Sequence, residues 1–304
     1  MKFIIDILRG VVIGIANVIP GVSGGTLAVS MGIYDKIITS VNNLFKKFKQ
    51  SIKTLLPYGI GIVLGIIGLS FLISTLFEKY PLPTVMLFIG LILGGVPVIL
   101  KRVFKSAAKK PNIPVCVLLF LIFAALIVVL PLIAGSEGEA DALAPGFLTV
   151  VKLLFAGIIA SATMVVPGVS GSMILLALGY YHPVIDAIKN LVQAAVHFNF
   201  GNMLVPIAIL LPFGIGVVLG IWLIAKLISF LLAKFEAYTY SAILGLVVAS
   251  PYAIFAATKI PTPNVPTVIF AVVALAAGFL AAFFLARKGE ELQAEESAPA
   301  EAAK

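Results

Sequence analysis

The sequence predicts an all-α polytopic membrane protein, an inverted repeat in which each half is a re-entrant, broken helical hairpin followed by three transmembrane helices. Three observations predict it. The composition is 61% hydrophobic and only 11% charged, with a mean hydropathy of +1.17. A water-soluble domain carries roughly 25% charged residues, so lipid must solvate most of this surface. Apolar runs of about 20 residues recur, the length that crosses the hydrocarbon core. In lipid their backbone groups pair internally only as helices, and the short alternating strands of a β-barrel do not occur in the pattern. Finally, Pro, Gly and Ser recur in the same order in the two halves of the chain.

The first half is expected over residues 1–135. Residues 3–19 are apolar and break at Pro20-Gly21-Val22-Ser23-Gly24-Gly25. A short apolar arm from Thr26 to Val41 follows, so 3–41 reads as a hairpin. The apolar stretch continues beyond Pro20 with no A-x-A site, so no cleaved leader is expected. A basic loop (Lys46, Lys47, Lys49, Lys53) leads into spans 55–77, 83–103 and 114–134, and the last two are joined by Lys101, Arg102, Lys105, Lys109 and Lys110. Residues 136–147, with Glu137, Glu139 and Asp141, form an acidic loop. The second half, 148–288, begins with a hairpin over 148–188 broken at Pro167-Gly168-Val169-Ser170-Gly171. Spans 204–232, 239–258 and 266–286 follow. The Glu- and Ala-rich tail 289–304 is too polar to bury and is expected to be disordered.

The repeat is the strongest signal. Gly10 to Leu44 aligns without gaps on Gly157 to Leu191, laying Gly32, Tyr34 and Asn43 on Gly179, Tyr181 and Asn190. Leu55-Leu56-Pro57-Tyr58-Gly59-Ile60-Gly61 matches Leu210-Leu211-Pro212-Phe213-Gly214-Ile215-Gly216, and Phe77-Glu78-Lys79-Tyr80 echoes Phe235-Glu236-Ala237-Tyr238. With three spans per half, the second half lies upside down. The basic residues test this. Both basic loops and the C-terminal Arg287 and Lys288 fall on one side, and the acidic loop falls on the other. Both termini are then cytoplasmic in a multi-pass membrane protein. This is the plan of secondary transporters whose site lies at mid-membrane between inverted repeats.

A helix break in lipid frees backbone groups that cost several kcal/mol each. Pro20 and Pro167 remove a donor, Gly21, Gly24, Gly168 and Gly171 permit tight turns, and Ser23 and Ser170 are placed to cap the next short helix. Such a helix N-terminus is an anion site. Phosphate-type binding is therefore expected at Pro20, Gly21, Val22, Ser23, Gly24, Gly25 and Thr26, and at Pro167, Gly168, Val169, Ser170, Gly171 and Ser172, with Asn17 adding a donor. Ser161 and Thr163 lie near the second break; helix packing alone would also account for such residues. Arg9 either faces the anion or snorkels to the surface. Glu78 and Glu236 either carry a coupling proton or mark the water boundary. Asp35 and His182 share a repeat position, and a His titrates near neutral pH.

No cofactor or metal is expected: Cys116 is the single cysteine and forms no cluster. The net charge of +8 sits mainly in topology-setting loops and does not signal nucleic acid. The sequence leaves the oligomeric state open, a homodimer included.

Asn17-Val18-Ile19-Pro20-Gly21-Val22-Ser23-Gly24-Gly25-Thr26 and its second copy Val166-Pro167-Gly168-Val169-Ser170-Gly171-Ser172 resemble a bacterial and archaeal membrane family, long classed as a domain of unknown function, that is associated with undecaprenyl phosphate transport. The resemblance covers residues 3–288. It implies a flippase of the bacterial cytoplasmic membrane that returns the C55 lipid carrier phosphate to the cytoplasmic leaflet for cell-envelope synthesis, with membrane lipid as its other partner. The second copy carries Ser172 for Gly25 and Met173 for Thr26. Two other readings remain. One is a transporter of a small soluble anion using the same tips. The other is a lipid-phosphate-processing enzyme, which needs a nucleophile and a placed acid–base group where this chain has only His182 and His197.

Overall fold

The computed structural model describes residues 2–18, 23–105, 111–133, 146–168, 171, 174–175, 178–258 and 260–301. Among these, every regular element is helical. In chain order they are α1 (Lys2–Val18), α2 (Gly24–Ser30), α3 (Tyr34–Asn42), α4 (Phe48–Lys79), α5 (Pro81–Lys105), α6 (Ile113–Ile133), α7 (Phe147–Val165), α8 (Tyr181–Val196), α9 (Leu204–Lys234), α10 (Glu236–Ala257) and α11 (Val265–Glu301). A 3₁₀ turn, Phe200–Met203, precedes α9.

Among the described residues, five helices are long and apolar enough to cross a membrane: Pro81–Phe104, Phe147–Val165, Gly201–Lys234, Glu236–Ala256 and Val265–Arg287. Their outer faces carry Leu211, Val218, Phe270, Val272 and Phe284, all more than half exposed, which is the surface a lipid-solvated chain presents. With these spans the chain is a multi-pass membrane protein.

Several expected bounds shift. The arm Thr26–Val41 is two helices, because Gly32 takes φ +67 and ends α2, with the Ile33 N–H reaching back to the Ala28 carbonyl at 3.0 Å. Gly179, at φ +77, ends the equivalent stretch with the Tyr180 N–H on the Leu175 carbonyl at 2.9 Å. Glycine is needed at both positions for this left-handed turn. The arm 148–166 is an unbroken 19-residue helix, since Pro167 interrupts it only past its end. The tail expected to be disordered continues α11 as far as Glu301; Ala, Glu and Gln are strong helix formers. Residues 136–145 of the acidic loop, with Lys109 and Lys110, lie outside the described residues.

Helix pairing follows small residues. α1 packs on α4, α7 on α9, α5 on α11, α6 on α10, and α5 meets α10. At Gly61 a side chain would strike the carbonyl of Ile7, and at Gly65 that of Val11. α1 and α4 therefore run parallel. Gly216 against Leu154 and Gly220 against Ile158 make α7 and α9 parallel in the same way. Gly90 and Gly94 press on Leu275 and Phe279 of α11, while Gly245 of α10 presses on Phe120 of α6. These close approaches are the small-residue packing of helices in lipid.

The core draws on both halves. Leu27 of α2, Phe88 and Ile92 of α5, Ala225 of α9, and Val247 and Ile254 of α10 form one buried cluster. Helix α2 is its centre: every residue except Gly25 is buried. Its Ser30 hydroxyl donates to the Ile92 carbonyl at 3.1 Å.

Candidate cavity between the two broken helices

Helix α2 starts where α7 ends. The Gly168 N–H donates to the Thr26 hydroxyl at 2.6 Å in a buried contact. The Tyr34 hydroxyl donates to the Val165 carbonyl at 3.2 Å, and a side chain on Gly25 would press on that same carbonyl. Two segments more than 130 residues apart thus meet tip to tip.

Beside this junction lies a cavity of about 410 Å³. Ser23, Gly24 and Gly25 of the first motif line it, as do Gly171 of the second and Asn17, Ser161 and Tyr34. Ile13, Ile62, Ile221 and Ala225 supply apolar walls. Ser23 is 6% exposed, yet its hydroxyl has no hydrogen-bond partner. Such a buried polar group costs about 1–3 kcal/mol when it stays unpaired, and a ligand can relieve that cost.

The sequence reading of Ser23 as a side-chain cap does not hold. Ser23 occupies the N-cap position with extended backbone (φ −103, ψ 127) but caps nothing with its side chain. Its carbonyl instead accepts the Thr26 N–H at 3.0 Å. Two of the described tip amides are likewise already taken. The Gly24 N–H donates to Asn17 Oδ1 at 3.3 Å, and the Gly168 N–H is taken by Thr26. Asn17 therefore serves as an acceptor here. Gly168 sits at φ +82, wedged against Leu246 and Ile127. Ser161, though it lines the cavity, donates to its own helix at Ile158, 3.1 Å away. Pro20, Gly21, Val22, Val169, Ser170 and Ser172 fall outside the described residues.

Arg9 is not among the cavity-lining residues. It is 3% exposed, paired with Asp6 at 3.2 Å, and it donates to the Leu285 carbonyl at 2.9 Å. It therefore neither snorkels nor faces the cavity. Lys36 joins this cluster through Asp6 at 3.2 Å and the Tyr58 hydroxyl at 3.2 Å. A second group follows on α3: Asp35 accepts from the Tyr240 hydroxyl and lies 4.0 Å from Arg102. Sequence reasoning passed over Asp6 and Lys36; the one available signal was their presence in otherwise apolar stretches.

Glu78 is exposed near the end of α4, and Glu236 opens α10. They are not equivalent positions. α4 ends on Tyr80 (φ −134, ψ 56) and α9 on Phe235 (φ −134, ψ 44), so Tyr80 matches Phe235 and the expected register shifts by three. His182 stacks edge-on with Tyr181 at 5.4 Å. Among the described residues no group of three His, Cys, Asp or Glu could hold a metal.

Comparison with known proteins adds to this geometry. A family model described as undecaprenyl phosphate translocase-like matches residues 13–266. A Staphylococcus aureus protein named polyprenyl-phosphate transporter is 33% identical over 285 residues, covering 93% of this chain and 96% of the relative. A Vibrio cholerae protein of the same name is 31% identical over 269 residues, covering 82% and 77%. No solved structure matches.

Proposed function

The chain belongs to the undecaprenyl phosphate translocase-like family, and from that premise we infer that this polyprenyl-phosphate transporter passes its substrate's phosphate through the cavity between the two Pro-Gly-Val-Ser-Gly segments. The observation that carries this reading is the buried, unpartnered Ser23 hydroxyl in a cavity that both motifs line. A hydroxyl donating to a phosphate oxygen forms a charge-assisted hydrogen bond. Gly24, Gly25 and Gly171 bring backbone to the cavity surface, and isoleucines supply its apolar walls. No bond is made or broken, so translocation needs only binding and release on alternate sides.

Several observations support an inverted repeat with re-entrant hairpins. The parallel pairs α1–α4 and α7–α9 occupy corresponding places in the two halves, as do α5–α11 and α10–α6. A chain whose α1 and α4 run parallel returns between them to the side from which α1 started. The paired left-handed glycines, Gly32 and Gly179, turn the two returns alike. In this reading the basic loops face the cytoplasm, the membrane is the bacterial cytoplasmic membrane, and the substrate is the C55 carrier phosphate recycled for envelope synthesis.

The test is leaflet redistribution of undecaprenyl phosphate in proteoliposomes holding the full chain. Ser23→Ala should slow it strongly. Wild-type rates in Ser23→Ala, or uptake of soluble phosphate with no effect of added lipid phosphate, would overturn the reading.

A further inference from the structure

Next to the polar cavity runs a second space of about 420 Å³ with a nearly wholly apolar lining, framed by α6, α9 and α10. Its walls include Phe123, Pro167, Leu227, Ala242 and Leu246. The two spaces abut. Tyr34 lines both, and Val165 faces the polar cavity while its chain neighbour Val166 faces the apolar crevice. Tyr34 is 5% exposed and is held at that boundary by its hydrogen bond to the Val165 carbonyl. The crevice floor is deep, with Leu246 at 2% exposure, whereas its rim is open, with Leu227 half exposed on the outer face of α9. It thus leads from the phosphate cavity to the lipid-facing surface.

We propose that this crevice holds the isoprene units nearest the phosphate while the rest of the chain stays in lipid. The proposal rests on the headgroup reading above. A polyprenyl phosphate whose head sits beside Ser23 must send its tail somewhere, and the apolar space that continues past Tyr34 matches its chemistry. The volume falls within the roughly 300–1,000 Å³ of small-molecule sites, enough for part of a long chain and far too little for all of it. Pro167 has a defined place here. It ends the helix that walls the headgroup cavity and itself walls the tail crevice, so one break serves both parts of an amphiphile. The crevice also sets specificity: a soluble phosphate would gain nothing from it, whereas each buried methylene adds about 0.8 kcal/mol of transfer free energy.

The experiment uses the full chain in proteoliposomes and a polyprenyl phosphate bearing a diazirine on an isoprene unit close to the phosphate. Illumination should label Phe123, Leu227 or Ala242. Labelling confined to the outer face of α11, at Val268 or Phe270, overturns the proposal. Independently, Ala242→Trp should weaken polyprenyl phosphate binding by roughly tenfold or more while leaving binding of methyl phosphate, which has no isoprene unit, unchanged. Unchanged polyprenyl binding overturns it, and the cross-linking arm on wild-type protein covers the case of a variant that fails to fold. The two readings fail separately. Methyl phosphate binding that is lost in Ser23→Ala, with no cross-link in the crevice, removes the tail site and keeps the headgroup site. Binding of neither phosphate removes both.

Discussion

At the scale of single residues, the junction of the two motifs separates stability from binding. Ser23→Ala deletes a buried hydroxyl that has no partner, so the unfolding midpoint in detergent should hold or rise. Phosphate affinity should fall by roughly tenfold to a hundredfold, the worth of one hydrogen bond to a charged group. Thr26→Val should do the reverse to stability. It is nearly isosteric but leaves the Gly168 N–H without its acceptor, at a cost of about 1–3 kcal/mol, and Thr26→Ser should restore most of it. Thermal melts read both. The sequence pointed to these residues but not to their roles. Pro, Gly and Ser in repeated order mark a break, whereas the direction in which a serine hydroxyl turns is decided by neighbours that arrive from elsewhere in the chain. Thr26 and Gly168 are 142 residues apart, and no local pattern connects them.

At the scale of helices, glycine spacing sorts into positions that touch and positions that do not. A side chain on Gly61 or Gly216 would meet the carbonyl of Ile7 or Leu154, whereas Gly59 and Gly214 have nothing within 4 Å. Gly61→Leu and Gly216→Leu should each prise a parallel pair apart, destabilising by about 1–3 kcal/mol. Gly59→Leu and Gly214→Leu should be tolerated, since Leu also forms helix better than Gly. Melting midpoints of the four variants give the comparison, and equal loss in all four would refute this account of the packing. Most helix positions were legible from apolar run length. What was not legible was the exchange of partners, by which α5 packs on α11 and α10 on α6. Hydrophobic periodicity reports that a face is buried, not what buries it. Three-residue registers were also beyond reach, as the shift from Glu78–Glu236 to Tyr80–Phe235 illustrates, because apolar stretches match one another at many offsets.

At the scale of the whole molecule, topology is testable by charge and access. Single cysteines placed at Lys47 and Lys105 should react with an impermeant reagent only from the cytoplasm, and one at Glu139 only from outside, in a Cys116→Ala background. The opposite pattern would reverse the orientation. The described ionic clusters tie α1 and α3 to α4, α5, α10 and α11 at the end that carries Arg102 and Leu285. Extending the repeat alignment, the counterparts of Asp6, Arg9, Lys36 and Tyr58 are Leu153, Ala156, Pro183 and Phe213.

Among the described residues, ions therefore latch the end of the bundle that carries Arg102 and Leu285. Asp35 and Arg102 are each about one-third exposed, so added salt screens their attraction and should loosen that latch. Whatever opens that end must part these charges, which makes salt concentration a handle on its opening.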